Sequence, residues 1–156
     1  MMKKIATLVA SAALLVGVTA CSSDSSSTPD TPDTPDITVS GQWARTSPMA
    51  TDMGAAYMTI EASALDELIG ASVDMSVAMM TEVHETITEN GASKMQEVER
   101  IEVSPDAPIE MKPGGYHVML MGLKEPLVTG ETISVTLKFS KAGEVTVDVP
   151  VREDAP

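Results

Sequence analysis

Two stretches late in the chain alternate apolar and polar side chains without interruption, ISVTLKF at 133–139 and VTVDVPV at 145–151. A period of two puts every second side chain on one face, so each reads as a strand with one buried side. Similar short, β-branched segments recur along the chain. The pattern predicts strands at 37–45, 55–62, 68–74, 80–88, 94–103, 109–112, 116–122, 132–139 and 145–151. The gaps between them carry turn chemistry: Asn90-Gly91, Pro113-Gly114-Gly115, Thr129-Gly130-Glu131 and Ala142-Gly143. Strands at such spacing form an antiparallel sandwich or barrel. No segment has a sustained helical period, and only residues 65–69 read as a single helical turn. There is no internal repeat.

The first 36 residues follow other rules. Lys3 and Lys4 precede an apolar run with small residues mixed in, from position 5 to position 18. That run is shorter than the roughly 20 residues a spanning helix needs. It ends Val18-Thr19-Ala20-Cys21, which resembles the lipobox of bacterial lipoproteins. The resemblance implies a lipoprotein signal peptide at 1–20 and a Cys21 that is lipidated and becomes the new N-terminus. Residues 22–36, SSDSSSTPDTPDTPD, hold no apolar side chain to offset the entropy of ordering. Residues 21–36 therefore read as the lipidated cysteine and a disordered tether. One domain of about 120 residues remains, 37–156, long enough for a core of its own. The expected location is extracytoplasmic, lipid-anchored to a bacterial membrane in the periplasm or at the cell surface.

Composition narrows the functions. The formal net charge is −13. Removing residues 1–20 takes away two lysines and no acid, which makes it −15. Nucleic-acid binding needs a basic footprint, and none exists. Cys21 is the single cysteine, so no intramolecular disulfide can form. Serine hydrolysis needs a base beside the nucleophile, and the chain has only two histidines.

Both histidines belong to one spacing, His84-x10-Met95-x21-His117-x-Met119. Two imidazoles and two thioethers make a soft ligand set that suits Cu(I) and suits Mg²⁺, Ca²⁺ and Mn²⁺ poorly. A thioether binds without deprotonation and cannot form a disulfide, which fits an oxidising compartment. A blue-copper redox centre would ordinarily want a cysteine thiolate.

The spacing also fits the strands. Asn90-Gly91 is a strong hairpin signal. One register sets His84 opposite Met95, and the next sets Thr86 opposite Met95, a diagonal step away. Either leaves His84 and Met95 on one face. His117 and Met119, two apart on one strand, share a face as well. Met121 continues that face as a possible secondary metal contact.

At these residues the chain resembles the periplasmic copper chaperones of the PCu(A)C type, whose signature is His, ten residues, Met, twenty-one residues, His, one residue, Met. The match extends to QWARTSP at 42–48, GAAYMTI at 54–60, EVHET at 82–86, PGGYHVMLMGL at 113–123 and AGEVTVDVPV at 142–151. The resemblance implies an all-β, single-domain, cupredoxin-like Greek-key β-sandwich that is not an enzyme. It implies one Cu(I) per chain at His84, Met95, His117 and Met119. It implies delivery to a copper-accepting membrane protein such as cytochrome c oxidase, or to another copper chaperone. Two other functions compete: a copper buffer or resistance protein without a dedicated acceptor, and a non-metal surface domain. Many members carry Met directly after the first His, where this chain has Glu85. Some carry a His- and Met-rich tail, where this chain has Arg152-Glu153-Asp154-Ala155-Pro156.

The remaining methionines divide by expectation. Met58, Met75, Met79, Met80 and Met111 read as core fillers. Met49, Met53 and Met121 could line the site or supply transient ligands. Trp43 reads as core rather than as a shield for copper. Protons compete with copper for imidazole, so affinity is expected to weaken below about pH 6.5.

Overall fold

The computed structural model describes residues 34–47 and 52–155. Cys21, the segment 1–20, most of the tether and Met49 lie outside them. Ten strands follow in chain order: β1 Ile37–Arg45, β2 Met53–Ala62, β3 Asp66–Val73, β4 Ala78–Glu89, β5 Ala92–Glu97, β6 Ile101–Val103, β7 Ile109–Glu110, β8 Tyr116–Leu123, β9 Thr132–Phe139 and β10 Glu144–Arg152. No helix occurs among the described residues.

The hydrogen-bonded order is β5-β4-β8-β2-β1-β10-β9-β3-β6, with β7 added on β2. This path folds into two leaves. One runs from β5 to β1, the other from β10 to β6. They join where β1 meets β10 in a short parallel contact, Ala44 with Val151 and Arg45 with Arg152. Strands adjacent in space but distant in sequence, such as β8 between β4 and β2, are what a Greek-key sandwich requires. The expected cupredoxin-like β-sandwich is the fold observed.

The alternating segments bury the side that the pattern assigns. Ile133, Val135, Leu137 and Phe139 of β9 face inward, as do Val149 and Val151 of β10. They meet Met58 and Ile60 of β2, Val83 of β4 and Val118 and Leu120 of β8 in one apolar core between the leaves. The opposite face of the first leaf, which carries His84 and His117, lies outside that core.

Two expectations need correction. Residues 65–69 form no helical turn. Asp66 instead opens β3, and its buried carboxylate accepts backbone N–H bonds from Glu67 at 2.8 Å, Lys141 at 2.9 Å and Ala142 at 2.8 Å. Those bonds tie the start of β3 to the turn after β9 and leave no helical repeat to form. The predicted strand 94–103 is two strands. β5 pairs with β4 in the first leaf, whereas β6 pairs with β3 in the second. No Gly, Pro, Asn or Asp interrupts 94–103, but the chain changes leaf within it.

The Asn90-Gly91 hairpin forms as expected. Both residues have positive φ, 52° and 80°. That is the two-residue turn whose twist matches paired strands, and it aligns Glu89 with Ala92.

Candidate metal site

The first leaf presents β4, β8 and β2 side by side. On β4 and β8 His84 stands directly opposite His117, and Glu82 opposite Met119. On β2 Ala55 stands opposite Met119. Beyond β4, Met95 of β5 pairs with Thr86, so the diagonal register is the one that exists. Cross-strand partners share a face. His84, His117, Met119 and Met95 thus lie on the face turned away from the core.

The imidazole rings are 5.9 Å apart between centroids and inclined at 59°. His117 is buried, 3% exposed. Its Nδ1–H donates to the Gly115 carbonyl at 3.0 Å. Since that oxygen can only accept, Nε2 is left with the lone pair. His84 donates from Nε2 to a Glu82 carboxylate oxygen at 2.7 Å, which leaves Nδ1 as the other ring nitrogen. Both remaining atoms, His84 Nδ1 and His117 Nε2, are buried and without a hydrogen-bond partner. A buried polar atom without a partner costs about 1–3 kcal/mol, so it demands an explanation. Two of them on facing rings are explained by a ligand that takes lone pairs.

The anchors are built locally. Lys112 N–H bonds back to Tyr116 O and Gly115 N–H to Lys112 O, each at 2.9 Å, closing a tight turn before β8. Gly114, at φ 82°, supplies the left-handed conformation that turn needs. The turn aims the Gly115 carbonyl at two donors, His117 Nδ1–H and the Thr86 backbone N–H at 3.1 Å. Glu82 lies two residues before His84 and therefore on its face. A ring fixed through its far nitrogen by a carboxylate or a carbonyl is how metal-binding histidines are usually oriented.

Electrostatics keep His117 ready to donate. Burial pushes its pKa below the ordinary imidazole value. The bond to Gly115 pulls the other way, and the neighbouring His84 adds to the lowering. The ring is therefore neutral at pH 7.

A cavity of about 330 Å³ opens beside the rings. Met95, Met119, His117, Thr86, Met53 and Tyr57 are among the residues that line it. His84 is not among them. Met95 is 55% exposed and rides on a strand exposed at every position. The donor set is soft. Among the described residues no three His, Cys, Asp or Glu side chains converge to hold a metal. An ion taken here must therefore accept thioether sulfur.

The structure also revises the expectations for other residues. Met58 and Met111 are core, as expected. Met75, Met79 and Met80 are not, at 75%, 66% and 53% exposed. Met80 lies on the face of β4 that also carries Glu82 and His84, turned away from the core, and Met79 lies beside Gly122 at the start of that strand. Met75 sits in the turn before it. Trp43 is buried but outside the main core. It packs on Tyr57 at 4.8 Å, and Tyr57 faces the His117 ring at 6.3 Å. These two aromatics thus back the site face. Tyr57, Glu82 and Gly115 were not singled out from sequence. The Glu-x-His spacing is a signal that could have found Glu82.

The same chain segment matches a known family. The LpqE-like model, described as "Putative lipoprotein LpqE-like", covers residues 37–151. The chain belongs to the LpqE-like family. The chain is also similar to "Putative lipoprotein Lxx21020" of Leifsonia xyli subsp. xyli, 35% identical over 145 residues, 91% of this chain and 86% of that one. Solved PCuAC domains share the LpqE-like fold seen here. The copper-bound PCuAC domain from PmoF2 is 30% identical, with a TM-score of 0.59 over 77% of this chain and 93% of that domain. The Cu(I) form of DR1885 from Deinococcus radiodurans is also 30% identical, with a TM-score of 0.57 over 74% and 79% of the two chains. The resemblance read from the His-Met spacing and this family membership agree.

Proposed function

We propose that this LpqE-like protein is an extracytoplasmic Cu(I) carrier. Copper is held by His84 Nδ1, His117 Nε2 and the sulfurs of Met95 and Met119. One observation carries the reading: two buried imidazole nitrogens on directly opposed residues have no partner, while their other nitrogens are engaged by Glu82 and Gly115. The soft donor set selects copper in its reduced state, and the relatives that bind copper support that choice.

The geometry suits delivery rather than permanent storage. The two histidines sit on interior strands and are locked in pose. Met95 sits on the exposed outer strand of the leaf. An acceptor's sulfur can replace Met95 first, while the imidazoles still hold the ion. Copper then never passes through water as a free ion. A lipid on Cys21 and a tether over 22–36 hold the domain near a membrane and raise its effective concentration toward a membrane-bound acceptor. The copper centre of cytochrome c oxidase is the acceptor we propose.

The test is an anaerobic Cu(I) titration of the full chain against a chromophoric Cu(I) chelator, beside His84→Ala and Met119→Ala. One tight equivalent, weakened in both variants, is expected. Equal affinity in all three proteins would refute the site. A transfer assay to an apo-oxidase copper domain then tests delivery, and a domain that holds copper against that acceptor would be a buffer.

A further inference from the structure

Among the described residues five methionines, Met53, Met75, Met79, Met80 and Met121, belong neither to the core nor to the four-residue site, and three of them share one place on the sheet. On the site face Met121 of β8 is directly opposed by Met53 of β2 on one side and by Met80 of β4 on the other. The three therefore form a single row across three neighbouring strands, one face and one level of the sheet. Adjacent strands lie about 4.8 Å apart. Flexible thioether arms on the outer two can thus lean inward over Met121 and bring three sulfurs to one ion. Met53 and Met80 are 48% and 53% exposed, and Met121 is half-buried. Three large apolar side chains left in a row at the surface do not serve the core.

The row is also placed beside the candidate site. Met121 follows Met119 by two residues on the same face, a step of about 7 Å along the strand. Met53 lines the same cavity as Met95, His117 and Met119. No imidazole or carboxylate belongs to the row. It offers thioether sulfur alone, which takes Cu(I) and leaves harder divalent ions in water.

We propose that Met53, Met80 and Met121 form a second, weaker Cu(I) site, a thioether station between the buried imidazoles and solvent. This rests on the copper reading above and extends it. Copper moving between Met119 and Met121 changes one ligand at a time and stays on sulfur throughout. Binding at the row differs from binding at the first site in one chemical respect: thioethers carry no proton to lose.

The experiment uses the full chain with ¹³C-labelled methionine methyl groups, titrated anaerobically with Cu(I) alone and followed by NMR. The first equivalent should shift Met95 and Met119. The second should shift Met53, Met80 and Met121, and should weaken less than the first when the pH is lowered from about 7 to about 5. Met80→Leu keeps the apolar surface but removes one sulfur from an exposed position. It should abolish the second stage and leave the first unchanged. A titration that ends at one equivalent would overturn the proposal. So would a second stage unaltered in Met80→Leu, which would make the row an apolar docking patch instead. In a His84→Ala, His117→Ala double variant the first stage should vanish and the second remain. If the first stage is insensitive to those substitutions, the four-residue site fails while the methionine row stands or falls on its own signals.

Discussion

Asp66 and His117 are the buried polar side chains of this domain among the described residues, and they are treated in opposite ways. Asp66, 1% exposed, has both carboxylate oxygens occupied by three backbone N–H donors. His117, 3% exposed, has one nitrogen bonded and the other bare, and the adjacent His84 repeats the pattern. A fold that fully satisfies one buried group does not leave two others half-satisfied by accident of packing. The satisfied group fixes a chain crossing. In the proposed reading the unsatisfied pair is kept for copper. Polar satisfaction therefore separates the part that holds the structure from the part that does the work.

Substitutions can break this contrast. The largest effect is expected at Asp66→Ala, which strands three part-buried N–H groups and should cost about 3 kcal/mol of stability. Denaturant unfolding of the apo protein measures it, and the surviving folded fraction should bind Cu(I) with normal affinity. Asp66→Asn keeps one acceptor oxygen and should cost less. At His117→Ala the pattern reverses. Copper affinity should fall by more than about 100-fold, since even the groups that orient metal ligands are worth 10–100-fold. Apo stability should change far less than at Asp66. A His117 variant that unfolds as readily as Asp66→Ala would make the imidazole a structural group and erase the distinction. Glu82→Gln should weaken copper binding by about 10-fold. The amide can still accept from His84 Nε2–H but no longer supports charge on the ring.

The smallest effect is in pH, and it separates the two groups by window. The folded-state pKa of His117 lies below the unfolded value of 6.5. Between the two the unfolded chain binds more protons, so apo stability should fall as pH drops below 6.5. Copper should protect against this loss. The same lowering means that protons compete with copper at His117 only below the ordinary imidazole range, later than the bare sequence implies. Asp66 has its pKa raised by burial, but the N–H bonds from Ala142, Glu67 and Lys141 outweigh this and set it below 3.8. Its contribution is present above 3.8 and should be lost as pH falls through the folded value. Equilibrium unfolding at a series of pH values should resolve two separate declines.

Much of this was legible before any coordinates. Residues 37–45 and 132–139 were predicted as strands with the limits observed, because alternation and turn residues both mark their ends. That the four candidate residues share one face was legible for a different reason: strand alternation and the Asn90-Gly91 turn set it, and with only two histidines a fixed spacing to two methionines draws attention to them. The failures have physical causes. The break between β5 and β6 is invisible because no turn residue marks it, and only the choice of partner strand divides them. Methionine is apolar and so reads as core at position 80, yet burial depends on which face of β4 that position takes, and Met80 takes the face of His84. The roles of Gly115 and Tyr57 depend on which strands become neighbours, and no local pattern encodes that.

The Gly115 carbonyl also has a practical meaning for anyone wishing to move this site. It accepts from Thr86 of the neighbouring strand and from the His117 ring at once. Ligand pose and strand alignment are thus set by one atom. Grafting the four side chains onto another sandwich would transfer the ingredients but not the aim. A working transplant would carry the Lys112–Gly115 turn and Glu82 with it.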